Sequence, residues 1–497
     1  MFELLDTHPP VLVLLVLMAA FLMPAFAHFG RKACGPAAVL TMVAAFIYSL
    51  HFALITRDGQ TIAYSVMGWD APWGIEVIIE PFSAFMLLVI SAVCLVIMIY
   101  SMSSLGREIP ASGIGWYYTT FLLLVGSMMG MVMTNDLFNM YVFIEVTGIA
   151  ACALVLAKGG RLATEASFKY LLLATVGSGF VLTGIALIYV ITGNLNISFV
   201  AAEFALVYPQ YPYLIWTVLS FFLVGFGIKS ALFPLHVWLP DAHSSAPTTS
   251  SAVLSGLVVK AYIVALAKFY FQIFGFDLLD QIFIRHMILI MATGAILGGS
   301  MFAFVQLDLK RRLAYSSVAQ IGYIFLGLGL SSPIGLAAGI LHIFNHAVMK
   351  ACLFLAAGAI YRQTGEKRVN RLQGLAFQMP ITMFAFSIAA LSMVGLPLFS
   401  GFISKWYLAL GSIEAGMPMF VGLIILSGLL NASYFLPIVW QAFFVVDEQE
   451  PKTFTMDKIP VSMSVSLVVL AMAVIYFGIN PEFPLALATK AVGVLLH

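Results

Sequence analysis

Between residues 9 and 480 the sequence holds fourteen apolar runs, each long enough to cross a bilayer and joined by short polar segments. This feature nearly dictates the fold class. In hydrocarbon every backbone N–H and C=O must find its partner within the protein, so runs of this length are read as transmembrane helices. The expected spans are 9–27, 35–55, 81–101, 116–134, 137–157, 167–192, 213–236, 247–270, 286–305, 313–331, 335–361, 377–406, 418–443 and 460–480. The chain is 62% hydrophobic and 9% charged, with mean hydropathy +1.04, values no soluble fold tolerates. The first run, Val11 to Ala27, is too long and uninterrupted for a leader and reads as a span. The tail from Pro484 is apolar but too short to cross.

Charge placement orients the chain. One set of alternate connections carries Arg31, Lys32, Arg107, Lys158, Arg161, the Lys310–Arg312 run, Arg362, Lys367, Arg368, Arg371, Lys452 and Lys458. The other set holds little beyond Arg57 and Arg285. By the positive-inside rule the first set is cytoplasmic and both termini face outward, in a cell inner membrane. The near balance of 23 basic and 22 acidic residues gives no reason to expect a nucleic-acid partner. The four cysteines are scattered through apolar surroundings, and no nucleotide motif is present. The sequence therefore offers no metal ligands, no cofactor site and no catalytic nucleophile, and no enzyme chemistry is expected of this chain.

Within these spans lie groups that hydrocarbon does not tolerate lightly. Lys229 sits in an apolar run, and Pro234 five residues later should break its helix. A polar corner follows with His236, Asp241 and His243, and Pro247 then suits the first turn of a new helix carrying Lys260. A charge at the bilayer centre costs about 2.5–3.5 kcal/mol even on gentle insertion scales, so each such residue marks a functional site unless it snorkels to the surface. Glu145 is a lone acid in its span. His342, His346 and Lys350 recur every four residues and share one helical face. A second interrupted segment, VGLPLFSGFISKW, places Pro397 beside Lys405. Lys169 and Lys268 lie near span ends and read as snorkelling side chains. Asp136 reads first as a helix N-cap, with an entrance role as the alternative.

Two Gly/Pro-interrupted spans, five apart and each with a lysine, fit an inverted repeat of two five-helix units. The expected layout is an N-terminal three-helix segment with an outer hairpin (1–115), first half 116–270, second half 286–443, and a last helix with a short tail (444–497). The series Glu145, Lys229, Lys260, His342, His346, Lys350, Lys405 has the composition of a proton relay.

The segments GIKSALFPLHVWLPDAHSSAPTTSSAVLSG, DLKRRLAYSSVAQIGYIFLGLGL, LHIFNHAVMKACLFLAAGAIY and GLPLFSGFISKW resemble the antiporter-like subunits of respiratory complex I and the large subunits of Mrp-type Na⁺/H⁺ antiporters. The resemblance covers spans 4–13. It implies an all-α fold of about fourteen helices, with two inverted five-helix repeats and discontinuous helices 7 and 12. It also implies a Glu145–Lys229 ion pair, a central Lys260, a relay through His342, His346 and Lys350, and a terminal Lys405. Lys405, where the middle complex I type has glutamate, points to the Mrp D type. So does a sequence ending at His497, without the long lateral helix of the distal type. Some complex I relatives carry histidine where this chain has Gln320, which leaves Ser316 and Ser317 or water to fill that station. The implied activity is proton translocation coupled to Na⁺ in a multi-subunit complex, beside other hydrophobic subunits and a larger homologue. The alternative is a proton-pumping subunit of a quinone reductase or hydrogenase; a structural scaffold with a degenerate relay is a third reading.

Overall fold

The structure, a computed structural model, describes residues 8–281, 283–445 and 455–496. Lys452, counted above among the basic residues of one face, lies outside the described residues.

The chain is a multi-span all-α membrane protein. Its first helices are α1 (Val11–Phe29) and α2 (Arg31–Thr56). A two-stranded antiparallel hairpin follows, β1 (Ile62–Ser65) and β2 (Glu76–Ile79). Then come α3 (Pro81–Glu108), α4 (Ile114–Met133), α5 (Leu137–Leu156), α6 (Gly160–Thr192) and a short connector, α7 (Ile197–Val207). The seventh crossing is α8 (Pro212–Lys229) with α9 (Leu239–Ser245), and the eighth is α10 (Thr248–Phe274). Next are α11 (Ile284–Val305), α12 (Leu309–Gly329) and α13 (Pro333–Thr364). The twelfth crossing is α14 (Pro380–Val394) with α15 (Ser400–Glu414). The chain then runs through α16 (Met419–Phe444) and α17 (Val461–Ile479) to the tail helix α18 (Glu482–Leu495).

Among the described residues twelve helices are long and apolar enough to cross a membrane on their own. The two remaining expected spans are present but differ for physical reasons. Helix α12 is 21 residues long, yet it starts with Lys310, Arg311 and Arg312 and carries Ser316, Ser317 and Gln320 in its middle, which lowers its hydropathy. The twelfth crossing is divided into two 15-residue pieces.

Both breaks have local causes. Helix α8 stops at Lys229, before Pro234 is reached, because Ala231 adopts a left-handed φ of 56°. The expected break at the proline is thus corrected: the helix ends five residues before it. In the second break Gly395 (φ 95°) and Leu398 (φ 75°) turn the chain out of the helix and Ser400 restarts it.

Helices α10 and α13 form the centre of the bundle. Nearly every residue of α10 and α13 is buried. Bilayer helices gain little hydrophobic energy by pairing, so close packing and buried hydrogen bonds hold them. Accordingly, a methyl on Gly322 of α12 would lie 2.7 Å from the Ala292 carbonyl of α11. Tyr100 of α3 donates to the Leu355 carbonyl of α13 at 2.9 Å. Glu108, the last residue of α3, accepts from the Thr248 N–H (2.7 Å) and hydroxyl (3.1 Å), capping the start of α10.

The two ends of the bundle differ. At one, β2 pairs with Thr134 and Asp136 pairs with Asn196. At the other, Asp308 pairs with Arg368, and Lys158, Arg161, Arg311 and Lys367 gather around a cavity of about 740 Å³. These are called the hairpin end and the basic end below.

Candidate functional site

Glu145 projects from α5 and accepts a hydrogen bond from Ser178 of α6. Lys229, the last residue of α8, brings its Nζ to 3.6 Å from Glu145 Oε1. The lysine side chain is 2% exposed and the carboxylate 33%. The helix break therefore places an ammonium where a chain end, rather than a closed helix face, meets the acid. The same Nζ lies 5.4 Å from the centroid of the Tyr262 ring on α10, a cation–π distance.

Two residues before Tyr262 on α10 is Lys260, fully buried. The turn Leu254–Val258 is a π-helix, and Lys260 donates to the Ser255 carbonyl, five residues back. Such turns leave backbone carbonyls free for other partners and occur frequently at functional sites. Ser255 also bonds Ser317 of α12 at 2.7 Å, which ties α10 to the next station.

Lys350 on α13 donates to the Leu313 carbonyl at 2.8 Å and to the Ser316 hydroxyl. One turn earlier His346 stacks on His342, with ring centroids 5.8 Å apart and planes within 4°. Neither ring nitrogen of His346 has a protein partner. His342 is held at both ends, Nδ1 by Ser404 (2.8 Å) and Nε2 by the Gln320 amide oxygen (3.1 Å). Gln320 therefore stands inside the series rather than leaving a gap. Lys405 on α15 donates to the carbonyls of Met393 (2.7 Å) and Val394 (3.1 Å). Those are the carbonyls that the end of α14 leaves open, so the second break is closed by the lysine it exposes. The Tyr323 ring lies between Lys405 (4.9 Å) and His342 (5.4 Å).

The seven main candidates thus follow one another through the bundle, Glu145–Lys229–Lys260–Lys350/His346–His342–Lys405, across α5, α8, α10, α13 and α15, and all but Glu145 are buried. Buried polar atoms without protein partners lie along this series: Tyr262 Oη, both nitrogens of His346 and Gln320 Nε2. In a packed interior such atoms are rare.

Of the secondary candidates, Gln320 stands in the series, His243 beside it, and His236, Asp241 and Asp136 elsewhere. His236 is 6% exposed and stacks on Phe233. His243 is fully buried against Phe354, with neither ring nitrogen partnered. Asp241 lies at the basic end, bonded to Arg311 at 2.8 Å and near Lys169 at 3.4 Å, on the wall of the large cavity. On that wall burial, and then the Lys367 charge, hold the Lys158 ammonium below the usual lysine range. Asp136 caps α5, accepting from the Asn139 N–H at 2.7 Å, far from the string. Among the described residues no group of three or more His, Cys, Asp and Glu could hold a metal ion.

Two expectations need correction or addition. Lys268 does not snorkel: its side chain is 2% exposed and its Nζ is 3.8 Å from Glu80, because α10 is enclosed along its whole length. Ser178, Tyr262 and Ser404 orient the string but are ordinary residues in an apolar sequence. Only the fold brings them to Glu145, Lys229 and His342.

A family model described as NADH:quinone oxidoreductase/Mrp antiporter, transmembrane, matches residues 134–430. The N subunit of an NADH-quinone oxidoreductase from Desulforudis audaxviator is 37% identical, over 96% of this chain and 97% of that protein. The D subunit of a Na⁺/H⁺ antiporter from Alkalihalophilus pseudofirmus is 30% identical over 85% of each. Among solved structures, a chain of the membrane-bound sulfane sulfur reductase, an archaeal respiratory membrane complex, matches with TM-score 0.89 and 31% identity, over 98% of this chain and 97% of that one.

Proposed function

We propose a function from the premise that this chain belongs to the NADH:quinone oxidoreductase/Mrp antiporter transmembrane family. It is a proton-translocating membrane subunit of a multi-subunit Mrp-type cation/proton antiporter, with Na⁺ as the exchanged cation. The observation that carries this reading is the series of titratable side chains from Glu145 to Lys405, all but the first buried. Such a string is expensive in a membrane protein and has no packing purpose that apolar residues would not serve better.

The chemistry follows from the neighbours. Burial disfavours a charged side chain and an adjacent opposite charge favours it. Each station's proton is therefore controlled by the state of the next. At the first station Ser178 fixes Glu145, and Lys229 holds or releases its proton according to its distance from that carboxylate. Lys260 draws on the carbonyls freed by the π turn. Lys350 passes the proton to the stacked histidines, whose imidazoles accept at one nitrogen and donate at the other. Ser404 and Gln320 hold His342 in place for that step. Lys405 then receives it at the second break.

The basic end faces the cytoplasm of a cell inner membrane and both termini lie on the outer side. Residues 116–270 and 286–443 are the two inverted halves, flanked by the segments 1–115 and 444–497. The subunit works beside other hydrophobic subunits, including a larger antiporter-like homologue, and the chemistry of any redox partner lies outside this chain.

The 37% identity to the N subunit of an oxidoreductase favours a second reading, in which the same string serves a redox-driven pump. Mild detergent purification from the native membrane, followed by mass spectrometry of the co-purifying proteins, separates the two. Small hydrophobic proteins and one larger homologue without iron–sulfur or flavin subunits support the antiporter. Iron–sulfur, flavin or nickel subunits overturn it in favour of the pump.

A further inference from the structure

The string described above ends at Lys405 and leaves one buried ion pair unused. Glu80 precedes the first residue of α3 and is 6% exposed. Lys268 lies on α10, eight residues beyond Lys260, which is about 12 Å farther along the axis toward the hairpin end. The Nζ of Lys268 is 3.8 Å from Glu80 Oε1 and donates to the Val132 carbonyl at 2.7 Å. Gln272, one turn on, donates to the same carboxylate oxygen at 2.9 Å, while its own Oε1 has no protein partner. Lys268 opens a second π-helical segment, Lys268–Phe274. Helix α10 therefore carries two buried lysines, each beside a π turn.

The pair lies under the β1–β2 hairpin. Val77 bridges to Thr134, and the Asn135 N–H donates to the Glu76 carbonyl at 2.9 Å, so β2 is laid across the α4–α5 connection to which Lys268 also bonds. Burial pushes the Glu80 carboxyl above the usual carboxylate range, against the opposing pull of Lys268 and Gln272. A buried pair of this kind is weak support for stability, since apolar residues of equal volume often do as well.

We propose that Glu80 and Lys268 are a second release station, a branch reached from Lys260 along α10 at the hairpin end, with Gln272 positioning the carboxylate. In the transfer the Lys268 N–H bond breaks and a Glu80 O–H bond forms. The pair passes from ammonium and carboxylate to amine and carboxylic acid, with no change in net charge. The acid then loses its proton to the face beneath the hairpin, and the Lys268 amine takes up the next proton from the side of Lys260, which restores ammonium and carboxylate. This rests on the transport function proposed above and adds a site to it.

The test is proton transport in vesicles containing the intact complex, with assembly checked by co-purification. Glu80→Gln and Lys268→Met should each lower the rate by about a hundredfold or more, the scale of a lost proton-transfer group. Glu80→Asp should recover at least half of the rate. The discriminating variant is Glu80→Gln with Lys268→Met. A purely structural pair tolerates joint neutralisation, so wild-type transport in the double variant overturns the proposal, as does wild-type transport in Glu80→Gln. If Glu80→Gln does not assemble, Gln272→Leu removes only the amide that holds the carboxylate. It should slow transport severalfold, and an unchanged rate overturns the proposal. Lys229→Ala in the same vesicles separates the two claims: if it transports normally the functional reading fails, whereas loss there with normal Glu80 variants refutes only the release station.

Discussion

Gly401→Ala is a one-methyl change that should disable transport. Gly401 lies in the first turn of α15, directly against the end of α14, and its N–H donates to Ser392 Oγ at 2.9 Å. A Cβ at this position would stand 2.1 Å from the Ser392 carbonyl oxygen, whereas ordinary contact begins at 3.4 Å. The obstacle is backbone, so no side chain can swing aside, and the two half-helices must separate by about 1.3 Å. Lys405 is four residues along on the same face. Its bonds to Met393 and Val394, at 2.7 and 3.1 Å, span the gap that the methyl widens. Overpacking of this kind costs about 1–3 kcal/mol. Losing one hydrogen bond to a charged group adds about 1.5–3 kcal/mol. A misplacement near 1 Å at a reacting group costs about a hundredfold in rate. Transport should therefore fall about a hundredfold, with a lower thermal midpoint in detergent. Gly422→Ala, where a methyl meets nothing within 4 Å, is the control and should leave transport unchanged. Wild-type transport by assembled Gly401→Ala would refute the claim that the Lys405 bridge across the break is part of the path.

Two other expectations concern stability. Glu108→Ala removes the carboxylate that caps α10 from α3 and should cost about 0.5–2 kcal/mol, as helix caps do; an unchanged thermal midpoint would count against the cap. Glu366 accepts from the Lys367 and Arg368 N–H groups at 2.8 and 2.9 Å, and these bonds hold its carboxyl below the usual 4.5. A carboxyl depressed in the folded state contributes stability that is present above its unfolded value and lost as pH falls through its folded one. Hydrogen-exchange protection at Lys367 and Arg368 should thus drop below about pH 4.5 and become insensitive to pH in Glu366→Gln. Equal pH dependence in the two proteins would remove the carboxylate from that account.

Apolar runs and isolated charges carried most of the fold and the string, because in a bilayer both are large local signals. Proline misplaced the first break, since a backbone turn at Ala231 precedes it and alanine announces nothing. Helix α12 is less apolar than its neighbours because Ser316, Ser317 and Gln320 bond Lys350, Ser255 and His342 in turn. The connector α7 lies where hydropathy marks only a gap between spans. Lys268 read as a span-end lysine because its partner, Glu80, is far away in sequence. Its burial depends on helices that close around α10. Ser178 and Ser404 could be assigned only once α6 and α15 had been placed against Glu145 and His342.

The most direct measurement is proton transport by Lys229→Ala in vesicles holding the whole complex, beside wild type at equal assembly. The break after Lys229 and its 3.6 Å approach to Glu145 make this residue the first lysine of the proposed path. Transport should be abolished while every co-purifying subunit remains. Wild-type transport in the assembled variant would contradict the account at its root, because the path would then not run through the string.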